Sequence, residues 1–208
     1  MEGNIILKPP QIRQVIIPSG RGNRPGPWPG GDYDFVTVHE TDNEAATATA
    51  AMHAQYLLGD EAAGKPVSWH FTCDDTEVIQ HLPLTEHGWH AGDGPKGPGN
   101  LRSVGVEVCV NKGGNLFLAY LLAAWIIAGL LKCRGLNLDR LRTHNWWSGK
   151  DCPRRLRANK AGPMGWEWFM GMVWLQMSGQ SGDAEQLRRQ VAELQGRLQQ
   201  IRVLTTSE

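Results

Sequence analysis

The chain has no excess of either charge. Its 208 residues carry 21 Lys and Arg against 21 Asp and Glu, a formal net charge of zero. A protein built around nucleic acid or an anionic membrane carries a basic excess, so neither is expected as the main partner. Residues 1–10 hold one lysine and no apolar core of signal-peptide length. The expectation is synthesis without a signal peptide, in a reducing cytoplasm. No apolar run reaches the ~20 residues of a membrane span. Leu116–Leu131, 16 residues without a charge, comes nearest. Gly113-Gly114-Asn115 offers it a start, Lys132 and Arg134 fit a last turn, and Gly135 fits a stop. It reads as a buried central helix, with a membrane segment as the minor alternative. Cysteine is sparse. Four residues could make two disulfides, but Cys73, Cys109 and Cys133 sit in apolar periodic segments, where a thiol acts as a small buried hydrophobe. There is no internal repeat. What is plentiful is apolar residues, 41%, and nine tryptophans. Length and apolar content suit one domain with an appendage. Tryptophan is at home in cores and in carbohydrate or peptide grooves alike, so its count decides nothing.

Residues 1–31 read as an N-terminal arm. The extended stretch Gln14-Val15-Ile16-Ile17 is followed by glycines and prolines that forbid regular backbone and fit a segment wrapping the surface. Asp34 to His39 reads as a strand entering the core. Thr41 to Glu44 has the form of a capping box, with Ala45, Ala48, Met52 and Tyr56 at helical spacing and Gly59 as the stop. Val67–Cys73 and Glu77–Leu82 read as a hairpin joined at Asp74-Asp75-Thr76. Gly88 and the Gly/Pro-rich segment 92–99 argue against a helix around His87 and His90, which leaves a groove-lining loop; His81 and His87 are assigned to the surface. In Ser103–Val110 four valines alternate with Gly105, Glu107 and Cys109, so Glu107 points away from the apolar face with small neighbours beside it. A solvated carboxylate and a general base are both open readings of it. Leu136–Leu141 is a short helix or turn. Arg154–Arg157 is basic, most simply a solvated surface. Gly165–Met177 is a Trp/Met-rich helix packed on the domain. Residues 178–182 form a linker. Beyond it Leu187, Val191, Leu194, Leu198 and Ile201 make a short heptad seam interrupted by Gly196, so residues 183–208 are either a loosely held amphipathic helix or a self-association element.

The stretch Thr143–Pro153 carries the chemistry. It places His144 and Cys152 eight positions apart in a loop rich in Gly, Ser and Asn, with Lys150 between them. Imidazole and thiolate are zinc ligands, and the soft sulfur disfavours magnesium and calcium. His39, at the end of its strand, is the candidate third ligand. The C-terminal end of a strand is a common location for ligand sites in α/β sheets. Three protein ligands leave a fourth position open, the layout of a catalytic zinc site.

Five segments together carry a resemblance. Val38-His39-Glu40-Thr41, Ser68-Trp69-His70-Phe71, Trp89-His90-Ala91-Gly92-Asp93-Gly94, Val104-Gly105-Val106-Glu107-Val108-Cys109 and the loop above resemble, in order and spacing, zinc-dependent N-acetylmuramoyl-L-alanine amidases. The phage and prophage endolysins and autolysins of Gram-positive bacteria are the nearest branch. The likeness runs from about Gln11 to about Leu156. It implies a single α/β catalytic domain over residues 1–177, with a mixed central β-sheet flanked by helices and the helical tail appended. It implies one zinc per chain on His39, His144 and Cys152, and Glu107 as general base. Other branches of this superfamily place a tyrosine where Trp69 stands; indole cannot exchange a proton at neutral pH, which strengthens Glu107. Lys150 would stabilise the oxyanion. Trp69, His70, Trp89 and His90 are the substrate-binding candidates. The implied partner is bacterial peptidoglycan, cleaved at the N-acetylmuramic acid–L-alanine amide after the protein leaves the cytoplasm. A peptidoglycan-binding module without activity, a zinc peptidase for another amide and a structural zinc site are the alternatives. Cys152 argues against the first. The absence of His-Glu-x-x-His argues against the second, and the wide ligand spacing against the third.

Overall fold

A computed structural model of the chain describes residues 10–158 and 164–178. In order the elements are β1 (Ile12–Gln14), β2 (Phe35–Glu40), α1 (Ala50–Leu58), α2 (Asp60–Ala63), β3 (Phe71–Cys73) and β4 (Val78–Gln80). There follow α3 (Pro98–Arg102), β5 (Ser103–Val108), α4 (Leu116–Cys133), a 3-10 turn at Leu138–Arg140, β6 (Leu141–Thr143), α5 (His144–Ser148), α6 (Arg154–Arg157) and α7 (Trp166–Ser178). The strands form one mixed sheet in the order β1-β4-β3-β5-β2-β6. Only the β3–β4 hairpin is antiparallel. Asp74 Oδ1 closes its turn by accepting from the Thr76 and Glu77 amides.

Strand alternation assigns the two faces. Val36 and Val38 of β2 and Val104, Val106 and Val108 of β5 are buried in one core with α4 and α7. The intervening residues Thr37 and His39, and Ser103, Gly105 and Glu107, share the other face, with His39 directly paired to Glu107. α1 covers part of that second face: Ala50 and Ala54 pack against Ile79 and Cys109, and Leu57 meets Ile17, Trp69 and Leu82.

The run 116–131 is the central helix. α4 buries ten residues, among them Ala123, Ala124, Ile127 and Leu131, between the sheet and α7. It is long and apolar enough to cross a membrane, but here it is a core helix. Gly135, at φ +62°, ends it, and Leu136 N–H reaches back to the Leu131 carbonyl at 2.9 Å. The described part of the arm, residues 10–31, packs against the domain. Asn23 Nδ2 donates to Leu57 O, Trp28 Nε1 to Leu84 O, and Arg24 makes a two-pronged bond to Glu86.

Three local expectations are corrected. The first long helix starts at Ala50, with Thr49 as N-cap, rather than at a Thr41 capping box. Asp42 and Glu44 bond instead to Arg154 and Arg155; Asp42 lies at φ 53°. Residues 144–148 form a short helix where a loop was expected, and Pro98–Arg102 adds a turn of helix that periodicity does not reveal. Cys133 is exposed, with its thiol 3.2 Å from Tyr33 Oη, whereas Cys73, Cys109 and Cys152 are buried; all four are free thiols. The linker beyond Ser178 and the heptad tail lie outside the described residues.

Candidate metal centre

His39 is the penultimate residue of β2 and His144 begins α5 directly after β6, so both histidines stand at the C-terminal rim of neighbouring parallel strands. Cys152 is brought back to them by a stapled loop. Gly149 takes φ +77° to close α5. Asn145 then holds the returning chain: its Nδ2 donates to the Gly149 and Lys150 carbonyls, and its N–H donates to Cys152 O at 2.9 Å. The Cys152 thiol accepts from the Glu40 amide at 3.4 Å.

The outcome is a buried cluster of three residues, His39, His144 and Cys152, whose donor atoms lie within 4.8 Å of one another. His39 Nδ1 faces His144 Nδ1 at 3.0 Å and Cys152 Sγ at 3.9 Å. A tetrahedral zinc, with its ordinary bond lengths to nitrogen and sulfur, separates such atoms by about 3.3 Å and about 3.6 Å. Burial governs the protonation of the four groups here. Burial holds His39 well below its usual value, with His90 and His144 adding to the effect. Burial, then Lys150, brings His144 down to about 4. Burial pushes the Cys152 thiol up to about 12. It pushes Glu107 up to about 8, against the pull of Lys150. Each group is driven to its neutral form in the absence of a positive charge, and a dication at the centre reverses that logic. The donor set and spacing therefore fit one zinc.

Glu107 stands beside this cluster. Its Oε1 is 3.9 Å from His39 Nδ1, a contact that is no ion pair while His39 is neutral. Its Oε2 is buried without a hydrogen-bond partner among the described residues, although the side chain as a whole is 15% exposed. Lys150 is exposed, yet its charge acts on His39, His144, Glu107 and Cys152 alike.

A match to known proteins follows the geometry. A family model described as N-acetylmuramoyl-L-alanine amidase matches residues 29–155, more than half of the chain. The chain belongs to this family. It is 48% identical over 149 residues to the N-acetylmuramoyl-L-alanine amidase XlyA of Bacillus subtilis, covering 70% of this chain and 47% of that one. It is 44% identical over 145 residues to CwlH of the same organism, covering 70% and 56%. It thus spans about half the length of the curated relatives it matches. Among solved structures, the catalytic domain of XlyA superposes with a TM-score of 0.68 at 42% identity, covering 78% of this chain and 99% of that domain. PlyL gives 0.67 at 30% identity, with 78% and 96% covered. The single mixed-sheet domain flanked by helices is the architecture of this amidase family.

The substrate-binding candidates fare differently. Trp89 is half-buried, T-shaped against His87, and keeps an open edge. Trp69 is buried under α1, its Nε1 donating to Thr72 Oγ1 at 2.7 Å. His70 is fully buried and stacked on Trp28 from the arm; its Nδ1 accepts from the Gly105 amide and its Nε2 donates to Glu86 O. His90 is buried behind His39. The arm, α1 and the 98–105 segment lie over Trp69, His70 and His90. The surface assignment of His81 and His87 is corrected, since both are buried. Arg154, Arg155 and Arg157 are not free cations either; they bond to Asp42, Glu44 and Asp151.

Sequence reasoning missed several supports. The buried Glu40 carboxylate accepts from Tyr120 Oη at 2.6 Å, Arg155 N at 2.8 Å and Leu156 N at 3.0 Å, tying β2, α4 and the chain after Cys152 together. Asn100 Oδ1 accepts from both the His90 and Ala91 amides at 2.8 Å. The immediate neighbours of the ligand residues were the available signal: Glu40 follows His39 directly.

Proposed function

We propose that the chain hydrolyses the amide between the lactyl group of N-acetylmuramic acid and L-alanine in peptidoglycan, using one zinc held by His39, His144 and Cys152. When bound, zinc supplies Lewis acidity and a water whose pKa falls to about 7. Glu107, on the same sheet face as His39, accepts the proton of the attacking water and returns it to the departing L-alanine amine. Its unpartnered Oε2 is the atom suited to that transfer. Lys150 neutralises charge developing on the amide oxygen, from a position whose field reaches every group of the cluster. Trp89, at the half-open edge, contacts substrate. Glu40 and Asn145 hold the thiol loop in place and exchange no proton. The place of action is the bacterial wall.

The observation that carries this reading is the convergence of His39, His144 and Cys152 beside Glu107 in a member of an amidase family. Digestion of purified peptidoglycan tests it. New free L-alanine amines without new reducing sugar ends are expected. New reducing ends, or cleavage only within the stem peptide, would assign a different bond.

A further inference from the structure

The three ligands are held from behind, and one of the supports does more than fill space. His90 lies in a slot made for it. Its Nε2 is 2.8 Å from the Ser103 carbonyl and its Nδ1 is 3.0 Å from His39 Nε2. The two rings are perpendicular, at 89° with centroids 5.1 Å apart. Asn100 Oδ1 fixes the His90 backbone at 2.8 Å. Gly105 keeps the slot open: a Cβ there would lie 2.7 Å from His90 Cγ, closer than side chains tolerate.

The chain of acceptors determines where the protons sit. A carbonyl oxygen only accepts, so His90 Nε2 carries its proton toward Ser103. His90 touches no carboxylate and is 8% exposed, so its ring is neutral and Nδ1 bears a lone pair. That lone pair requires the proton of His39 to be on Nε2. Nδ1 of His39 is then a bare lone pair, aimed at His144 and Cys152. On the other side, His144 Nδ1 stands 3.0 Å and Cys152 Sγ 3.9 Å from that lone pair.

We propose that His90 is a positioning residue, an imidazole relay from the Ser103 carbonyl that locks His39 in the Nε2–H tautomer and presents Nδ1 to the metal. This rests on the metal reading above. Most metal-bound histidines orient their second nitrogen on a carboxylate or a carbonyl, and losing that partner costs about 10–100-fold in metal affinity. Here a second histidine takes the role.

The test uses the full chain as wild type, His90→Phe and His90→Gln. Long-range ¹H–¹⁵N NMR of the metal-free protein reads the tautomer of each ring, and competition with a chromophoric chelator reads zinc affinity. Wild type should show His39 protonated at Nε2. His90→Phe should lose that preference and bind zinc about 10–100-fold more weakly. His90→Gln, whose side chain can accept from His39 and donate to Ser103, should restore both. The proposal is overturned if wild-type His39 carries its proton on Nδ1, or if His90→Phe binds zinc as tightly as His90→Gln. Should His90→Phe fail to fold, the wild-type tautomer still decides. A wild type that binds no zinc would refute the metal reading, and the tautomer would then be judged separately.

Discussion

The histidines buried away from the His39–His144–Cys152 cluster make stability strongly pH-dependent, and His81 gives the clearest case. Its ring is fully buried against Thr72 Oγ1, 2.8 Å away, and burial brings its pKa down to about 3. In the unfolded chain the same ring titrates near 6.5. The folded value is depressed, so as pH falls below 6.5 the unfolded state takes up a proton that the native state refuses. Stability is complete above 6.5 and is lost progressively as pH falls toward 3. At pH 5 the unfolded state gains about 2 kcal/mol per such histidine. That figure is insensitive to the folded value as long as it stays below about 4. His70, brought down to about 4 mainly by burial, adds a comparable amount. Together they remove roughly 4 kcal/mol by pH 5, a large part of the 5–15 kcal/mol of a typical domain. Urea unfolding at pH 7.5 and pH 5 measures this, with His81→Gln alongside wild type. The difference between the two pH values should be smaller in His81→Gln by about 2 kcal/mol. An identical pH dependence in the two proteins would refute the reasoning, because it would mean that His81 is protonated in the native state.

Glu107→Gln should keep fold and zinc while turnover on peptidoglycan falls about 10²–10⁴-fold; near wild-type turnover would remove Glu107 from the mechanism. Leu131→Ala, in the buried face of α4, should cost about 2–5 kcal/mol in urea unfolding without changing zinc content. A chain ending at Ser178 should give the circular dichroism of a folded domain and hydrolyse soluble muropeptides, because α7 already closes the core through Phe169, Met172 and Val173; an unfolded spectrum would place the tail in the core.

Much of the fold was legible because its signals are local. The valines of β2 and β5, the charge-free run of α4 and the Asp74 turn each specify an element without tertiary information. The cluster of His39, His144 and Cys152 was legible for a chemical reason: a thiol and an imidazole in one polar loop have few other uses. Alternation was less informative about Trp69, His70 and His90. It separates the two faces of a strand but does not say which residues another segment will cover, and here the arm and α1 cover part of the second face. His81 and His87 were misplaced for the same reason. The capping box failed because Asp42 and Glu44 have arginine partners more than a hundred residues away, and no local rule weighs such a competitor. Glu40 is the converse case, a carboxylate whose three partners become visible only when β2, α4 and α6 meet.

Zinc content is the most direct test of the centre itself. Metal analysis of the purified full chain should find about one zinc per molecule, and Cys152→Ser, with a neutral hydroxyl in place of the soft anionic ligand, should retain almost none. Equal zinc in the two proteins would exclude Cys152 as a ligand, and a wild type that is free of metal yet cleaves peptidoglycan at full rate would contradict the zinc centre altogether.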